Sequence, residues 1–382
     1  MALKKQDTGK LSLALHKKLQ GKVSITPKIK VKNRTDLALV YTPGVGAVSS
    51  YIATHKEKIA DYTMKGNTVA VISDGSAVLG LGNIGPEGAL PVMEGKALLF
   101  KSLSGIDAFP IVLATQDTEE IIQTVKNIAP VFGGINLEDI AAPRCFEIER
   151  RLQEELTIPV LHDDQHGTAL VVLSGLINAL KVVKKQPKKI RMVIAGAGAA
   201  GTAIAELLML YGVGDIIMVD SQGVIHDKRP NLDAEKKILA EKTNREQRTG
   251  GLTEALVGAD VFVGVSKGNT LTAAHVSSMA KQAIIFALAN PVPEILPHIA
   301  KEAGAAVVAT GRSDFANQIN NSLGFPGIFR GALDHGVKKI TDEMLIRAAK
   351  NLAALVKTPT AERIMPNTFD PLVVPAVARA IR

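Results

Sequence analysis

The stretch Arg191-Met-Val-Ile-Ala-Gly-Ala-Gly-Ala-Ala-Gly-Thr-Ala-Ile-Ala-Glu-Leu-Leu-Met-Leu-Tyr211 carries the strongest fold signal in the chain. A short apolar run is followed by a glycine-rich turn and then by an apolar helical pattern. This order is typical of the first strand, turn and helix of a dinucleotide-binding domain, where the pyrophosphate rests on the helix N-terminus. An ordinary strand-to-helix turn would show the same glycines without a ligand. The residues predicted to bind the cofactor are Gly196, Ala197, Gly198, Ala199, Ala200 and Gly201.

A carboxylate in the expected place supports this interpretation. Asp220 ends the next apolar run, about 20 residues beyond the glycines, where an acidic side chain accepts the hydroxyls of the adenosine ribose. This position predicts NAD, because a carboxylate would repel the 2′-phosphate of NADP. Lys228 and Arg229 lie close by in the sequence and leave NADP open.

On both sides of the fingerprint, short apolar runs alternate with helical patterns, which predicts an α/β fold with parallel sheets covered by helices. We expect two such α/β domains, the second of Rossmann type, with a helical C-terminal segment that folds back onto the first. The predicted limits are 1–165, 166–330 and 331–382, with a cleft between the first two. The predicted strands are 68–73, 108–113, 134–137, 159–161, 191–195, 215–219, 261–265, 283–287 and 306–309. The predicted helices include 92–104, 118–128, 144–156 and 201–211.

The composition excludes several classes of protein. The 382 residues are 46% hydrophobic and 21% charged, which is typical of a folded globular enzyme. The longest apolar run, 169–180, is shorter than the roughly 18 residues that a membrane span needs, so no membrane is expected. The net charge of +8 is dispersed, and aromatic residues make up only 4%, which argues against nucleic-acid binding. The single cysteine and the lack of a secretory pattern at the N-terminus predict a cytoplasmic protein.

Two acidic pairs stand upstream of the fingerprint, and each follows an apolar run. They are Glu138-Asp139 and Asp163-Asp164. Because each pair is placed where a strand ends and a loop begins, the carboxylates are expected to gather at one edge of a sheet. Several carboxylate oxygens together are what a hard divalent cation requires.

Two further residues are candidates for proton transfer. Lys96 follows a glycine-studded loop and shares a helix face with apolar residues such as Met93 and Ala97. Partial burial there would lower its pKa and allow it to act as a base, whereas a surface lysine would keep its ordinary pKa. Tyr41 precedes a proline turn and is either a packed aromatic or a proton donor.

Taken in order along the chain, these motifs resemble those of the malic enzymes, and the length resembles the short bacterial type. The motifs are Tyr41-Thr-Pro-Gly-Val45, Gly80-Leu-Gly-Asn-Ile-Gly85 with Lys96, Ile135-Asn-Leu-Glu-Asp139, His162-Asp-Asp-Gln-His-Gly-Thr168, Ala289-Asn-Pro291 and Asn320-Asn-Ser-Leu-Gly-Phe-Pro-Gly327.

The resemblance implies the oxidative decarboxylation of L-malate to pyruvate and CO₂ with reduction of NAD⁺ or NADP⁺ by a homodimer. It makes Lys96 the general base, Tyr41 the general acid and Asp163 the group that tunes Lys96. The implied ligands of Mg²⁺ or Mn²⁺ are Glu138, Asp139 and Asp164. The implied amide groups that hold the substrate carboxylate belong to Asn290, Asn320 and Asn321.

One departure from the family pattern affects the substrate. Large malic enzymes carry an arginine in the loop that corresponds to residues 74–79, whereas this chain has Ser76 there. Ser76 and backbone amides are the candidates for its role, although a hydroxyl does not replace a bidentate guanidinium. Two alternatives stay open: a malolactic or oxaloacetate-decarboxylating enzyme on the same scaffold, and a non-catalytic NAD-binding sensor.

Overall fold

A computed structural model of the chain describes residues 5–78 and 80–382, with side chains from Thr8 onward. The first sheet has four parallel strands in the order β2-β1-β3-β4. They are β1 (Thr68–Ser73), β2 (Asp107–Val112), β3 (Gly134–Leu137) and β4 (Val160–His162). Strands β1, β3 and β4 are buried along their whole length, which explains why they appear in the sequence as continuous apolar runs.

The second sheet has six strands in the order β10-β9-β8-β5-β6-β7, all parallel except for the β6–β7 pair. The strand order reverses direction at β5, and the crevice at the carboxyl end of such a strand is where doubly wound sheets bind their ligands. The strands are β5 (Arg191–Ala195), β6 (Asp215–Asp220), β7 (Gly223–Val224), β8 (Val261–Gly264), β9 (Ala283–Ala287) and β10 (Ala305–Thr310). The predicted α/β class is confirmed.

Helices cover both sheets and form most of the two ends of the chain. The helices are α1 (Lys5–Leu19), α2 (Arg34–Val40), α3 (Val45–Thr54), α4 (Ile59–Tyr62), α5 (Gly85–Ser104), α6 (Thr118–Ile128), α7 (Arg144–Glu155), α8 (Thr168–Val183), α9 (Ala199–Tyr211), α10 (Ala234–Lys242), α11 (Leu252–Leu256), α12 (Ala273–Ser278), α13 (Pro297–Glu302), α14 (Phe325–His335), α15 (Asp342–Ala353) and α16 (Val373–Ala378). A single π-helical turn, Asp163–Gly167, connects β4 to α8.

Helix α8 is the centre of the molecule. It contacts α9 and α15, and it belongs to one apolar cluster that includes Val69 of β1 and Ile194 of β5. Both sheets therefore share a core, and the two walls of the cleft are held by the same packed side chains. The domain limits 1–165, 166–330 and 331–382 stay a prediction.

Two stretches, Arg34–Thr54 and Asp163–Val183, are long and apolar enough to cross a membrane by length and composition. The second contains α8, and 72% of its apolar window is buried inside the protein. The first lies in the N-terminal segment, residues 8–67, in which no residue is buried. Lys22 attaches this segment to α5, because its backbone N–H donates to Glu94 and its ammonium donates to the carbonyl of Pro91.

The observed boundaries differ from the predicted ones where proline or glycine interrupts a pattern. Helix α5 begins at Gly85 and runs through Pro91, whereas the prediction began after that proline. Pro86 in the first turn fits a helix start, where a missing N–H costs no bond. Helix α9 begins at Ala199, two residues earlier than predicted. Strand β7 has two residues, too few to show a period in the sequence.

Candidate active site

Lys96 lies at the centre of a buried cluster of charges. Its ammonium nitrogen is 2.5 Å from Oδ2 of Asp163 and 2.8 Å from Oε1 of Glu138. It also lies 4.2 Å from the centre of the Phe325 ring, whose negative face attracts a cation. Lys96 is 8% exposed, so the predicted burial of this side chain is observed. Its role as the general base stays a prediction.

The prediction that burial lowers the pKa of Lys96 was wrong. Burial alone lowers this pKa, but the carboxylates of Asp163 and Glu138 raise it by more, and the result lies above the ordinary value. The sequence showed the apolar helix face, but the two carboxylates are 67 and 42 positions away from Lys96, and only the fold brings them together. The two carboxylates therefore favour the protonated form of the amine.

Glu138, Asp139 and Asp164 each offer a carboxylate oxygen within 4.8 Å of the others. Burial, followed by the charges of Asp164 and Glu138, raises the pKa of Asp139 to about 9. One of its oxygens, Oδ2, is buried and has no hydrogen-bond partner. Uncompensated oxygens of this kind fit a divalent cation, which takes hard oxygen ligands and removes the repulsion between the carboxylates.

The π-helical turn directs its two aspartates to different partners. Asp163 reaches Lys96, whereas Oδ2 of Asp164 accepts a 2.8 Å hydrogen bond from the backbone N–H of Asp139. Asp139 itself has φ of 54°, a left-handed conformation that an aspartate tolerates better than most residues. The turn therefore joins the lysine cluster to the carboxylates that fit a metal.

Glu149 was not predicted as a site residue, although its carboxylate forms hydrogen bonds with residues of this turn. Its buried Oε1 accepts the N–H of His162 at 2.7 Å. Its Oε2 lies 2.9 Å from Nε2 of Gln165 and 3.1 Å from Nε2 of His166. A signal was present, because Glu149 shares the buried face of α7 with Ile148 and Leu152, where an acid without a partner is costly.

Ser76 is buried and has intramolecular partners. Its hydroxyl donates to Oδ1 of Asp74 at 2.5 Å and accepts the N–H of Ala141 at 2.9 Å. The other oxygen of Asp74 pairs with Arg144 at 2.7 Å. Asp74 and Arg144 were also missed, because they lie 70 positions apart. Substrate binding by Ser76 stays a prediction.

The glycine turn at β5 opens into a cleft of about 330 Å³, whose lining combines both domains. A Cβ at Gly201 would lie 1.7 Å from the carbonyl oxygen of Gly196, so only glycine fits there. A Cβ at Gly198 would meet nothing within 4 Å, which fits a backbone that a ligand approaches closely. The same cleft is lined by Asp164, Asn290, Asn320 and Asn321 as well as by Gly198, Ala199 and Ala200.

Comparison with known proteins agrees with this geometry. Residues 20–153 match the family model of the malic enzyme N-terminal domain, and residues 165–370 match that of the malic enzyme NAD binding domain. The chain belongs to the malic enzyme family. Among its relatives is the bifunctional malic/malolactic enzyme of Bacillus subtilis, 56% identical over 97% of this chain and 91% of the relative.

Other family members differ in the cofactor that their names give. The NADP-dependent malic enzyme of Escherichia coli is 45% identical over 94% of this chain and 50% of the relative. The crystal structure of the NAD-dependent malic enzyme from Thermotoga maritima matches with a TM-score of 0.94 and 50% identity. That match covers 97% of this chain and 98% of the other. Both cofactors therefore occur among close relatives.

In this family member, the carboxylate of Asp220 forms ion pairs with two basic side chains. Its Oδ2 lies 2.6 Å from Arg229 and 3.0 Å from Lys236, and its Oδ1 accepts the N–H of Gln222. Burial raises the pKa of Asp220, but these partners outweigh it and hold the pKa below its ordinary value. Lys228 is exposed. Asp220 is therefore ionised at the carboxyl end of β6, with positive charge beside it.

Tyr41 lies apart from the cleft of the single chain. It follows α2 in the N-terminal segment, is 65% exposed and is not among the residues that line the cleft. Its function as a proton donor stays a prediction.

Proposed function

We propose that this malic enzyme catalyses the metal-dependent oxidative decarboxylation of L-malate to pyruvate and CO₂ with reduction of NAD⁺ or NADP⁺. Membership of the family makes the chain an oxidoreductase with a nicotinamide dinucleotide as its cofactor. The observation that carries the proposal is the position of Asp164. It lines the same cleft as the dinucleotide turn, and it belongs to the carboxylate group that adjoins Lys96.

Lys96 is the residue that accepts the proton of the C2 hydroxyl of malate, after its own proton has passed to the carboxylate of Asp163, which lies 2.5 Å away. Asp163 and Glu138 hold its ammonium in one position and supply the opposite charge that keeps it there. A dinucleotide held at the glycine turn after β5 would supply the acceptor for the hydride of C2. The amides of Asn290, Asn320 and Asn321 line the cleft and bind the substrate carboxylate. Tyr41 supplies the proton that C3 receives after CO₂ leaves.

Glu138, Asp139 and Asp164 are the residues that would hold Mg²⁺ or Mn²⁺. The bound cation supplies Lewis-acid stabilisation of the negative charge that develops on the substrate oxygen. Two properties of Asp139 support a cation at this position: its Oδ2 has no hydrogen-bond partner, and its pKa is raised.

For the cofactor we propose a preference for NAD⁺ with some activity on NADP⁺. The ionised carboxylate of Asp220 favours free ribose hydroxyls, whereas Arg229 and Lys236 reduce its repulsion of a 2′-phosphate.

The active form that we propose is a homodimer. The N-terminal segment exposes many large apolar side chains, including Leu13, Ile25 and Leu39, and residues 8–67 contain no buried residue. An exposed apolar surface of this kind is typical of an interaction site. The presence of Tyr41 in the same segment supports a second copy of the chain as the proposed partner. Cytoplasmic localisation without nucleic-acid or membrane partners completes the proposal.

The oligomeric state is measured by size-exclusion chromatography with light scattering. We expect a dimer for the native chain and dissociation for Leu39→Glu, whereas Leu210→Glu on the exposed face of α9 leaves the dimer intact. A native monomer, or a dimer indifferent to Leu39→Glu, contradicts the proposed interface.

The activity is tested by following the absorbance of the reduced cofactor with L-malate, Mn²⁺ and either NAD⁺ or NADP⁺. Accumulation of reduced cofactor together with pyruvate supports oxidative decarboxylation. Lactate without reduced cofactor would favour the malolactic alternative, which the name of the Bacillus subtilis relative brings into view. Cofactor binding without any turnover of malate would favour the sensor.

A further inference from the structure

Glu294, a buried acid to which the proposed reaction assigns no role, lies beside the cleft. Glu294 is 0% exposed and follows the Asn290 loop at the carboxyl end of β9. Its Oε2 accepts the N–H of Ala289 at 3.0 Å, and its Oε1 accepts the N–H of Ser266 at 3.3 Å. These two amides belong to different loops, one after β9 and one after β8, so a single carboxylate joins the two loops.

The fold makes room for this carboxylate at one position. Gly264 is the last residue of β8, and a Cβ there would lie 2.3 Å from Cδ and Oε1 of Glu294. The main-chain oxygen of Glu294 also accepts the N–H of Leu271 at 3.0 Å, which fixes the backbone from which the side chain extends. The acid is therefore enclosed between the ends of two neighbouring strands.

The two loops that Glu294 joins form one wall of the cleft. Val265, Ser266, Ala289 and Asn290 all line it, together with Asp164 and residues of the dinucleotide turn. Because cofactor and substrate must meet in this cleft, the separation of the two loops affects the space available to them.

We propose that Glu294 is a positioning residue, whose carboxylate binds the amides of Ser266 and Ala289 and so sets the geometry of the cleft wall for the nicotinamide dinucleotide. The inference rests on the proposed function in so far as that cleft holds the cofactor. Glu294 acts through the two loops and touches neither the metal carboxylates nor Lys96 in the contacts described above.

The charge state of Glu294 gives this arrangement a dependence on pH. Burial raises the pKa of Glu294 to about 7, and the N–H groups of Ala289, Glu294 and Ser266 keep it from rising further. No charged side chain is among the causes of the shift; the carboxylate is faced by these amides and by the Cα of Gly264. An ionised carboxylate accepts both loop amides, whereas the neutral acid has one oxygen that carries a proton. The link between the loops is therefore complete above about pH 7 and weakened below it.

The test compares Glu294→Gln with a control at the amino end of β8, the end of the strand opposite to Glu294. Asp260 accepts the N–H of Arg191 at 2.9 Å and the ammonium of Lys185 at 2.8 Å, so Asp260→Asn also disturbs a carboxylate that joins chain segments, but far from the cleft. Dissociation constants for NADH are measured by its fluorescence from pH 6 to 8, and kcat and KM for malate are measured alongside.

We expect the NADH affinity of the native chain to fall as the pH drops below about 7. Glu294→Gln should weaken NADH binding about 10-fold at pH 8 and remove this dependence on pH. The control keeps the native dissociation constant and its pH dependence. Native affinity and pH dependence in Glu294→Gln would overturn the inference. Failure of the native chain to oxidise malate would instead overturn the proposed function, since NADH binding is measured without malate.

Hydrogen exchange on the native chain tests the same contacts without a substitution. After correction for the intrinsic pH dependence of exchange, the amides of Ser266 and Ala289 should lose protection between pH 8 and pH 6. The amide of Arg191 should not. Equal protection at both pH values for Ser266 and Ala289 contradicts the positioning role, even where the variant does not fold.

Discussion

The ammonium of Lys96 and Oδ2 of Asp163 lie 2.5 Å apart, and both side chains are buried. Asp163 is fully buried, and its own pKa is raised to about 6 by burial against the opposing effect of Lys96. Each of the two groups therefore stabilises the charged form of the other against the cost of burial.

Lys96→Ala is expected to lower the rate of malate oxidation by about 10²–10⁴-fold, because the group that exchanges the hydroxyl proton is removed. It should also lower the free energy of unfolding by about 3 kcal/mol, since Asp163 loses its buried partner. Lys101→Ala, which removes an exposed lysine of the same helix, serves as the control in rate and melting measurements. A Lys96→Ala variant with the native rate would remove this residue from the mechanism.

Asp164→Asn is expected to raise the Mn²⁺ concentration needed for half-maximal activity by about 100-fold or more, because Asp164 is one of the three proposed ligands. Loss of a group that only supports a ligand already lowers metal affinity by about 10- to 100-fold. The native chain should gain thermal stability on addition of Mn²⁺, and the variant should not, since only the folded state holds the ion. Glu147→Gln on the exposed side of α7 is the control. Full activity of the native chain in excess chelator would exclude a role for the metal.

Glu149→Gln is expected to weaken Mn²⁺ binding by about 10- to 100-fold while leaving NADH affinity unchanged, because it loosens the turn that carries Asp164. The exposed Glu154 on the same helix provides the matched change, Glu154→Gln. Metal titrations followed by activity and by melting temperature distinguish the two. Equal metal affinity in both variants would limit Glu149 to a structural role.

Asp220→Ala is expected to narrow the preference for NAD⁺ over NADP⁺, because Arg229 and Lys236 become free to bind a 2′-phosphate. The measurement is the ratio of kcat/KM for the two cofactors, in the native chain and in the variant. Lys228→Ala, at an exposed position nearby, should leave the ratio unchanged. If Asp220→Ala also leaves it unchanged, cofactor choice is determined elsewhere.

Tyr41→Phe is expected to slow protonation of the enol of pyruvate by about 100-fold, a typical loss for one acid–base group. The step is isolated by following deuterium exchange into the methyl group of pyruvate by NMR, with metal and reduced cofactor present. Tyr62→Phe, another exposed tyrosine of the N-terminal segment, is the control. An equal loss in every partial reaction would assign Tyr41 to packing.

Local sequence predicted the parts of the site that follow directly from strand ends and turns. The fingerprint at β5 and the acidic pairs after β3 and β4 lie where their apolar runs predicted, because buried parallel strands leave an unmistakable pattern. The pKa of Lys96 was not predictable in this way. Its direction depends on whether burial or the carboxylates dominate, and that comparison requires distances between residues far apart in the sequence.

The residues that were missed act on backbone groups or on distant partners. Glu294 binds amides of two loops, and Asp74 pairs with Arg144 across 70 positions. Neither relationship leaves a local period or motif, because any acid at those positions would give the same pattern in the sequence. A buried acid on an apolar helix face, as at Glu149, is the exception that sequence alone can indicate.

The position of α8 in a core shared by both sheets has a consequence for protein engineering. A cut near residue 165 would expose apolar surface on both fragments, so neither half is expected to fold as an independent product. Exchange of cofactor specificity between relatives by recombination of whole domains would meet the same obstacle. Recombination points that keep α8, α9 and α15 in the same parent sequence would preserve the contacts between these helices. Substitutions confined to the loop after β6 would leave the shared core unchanged.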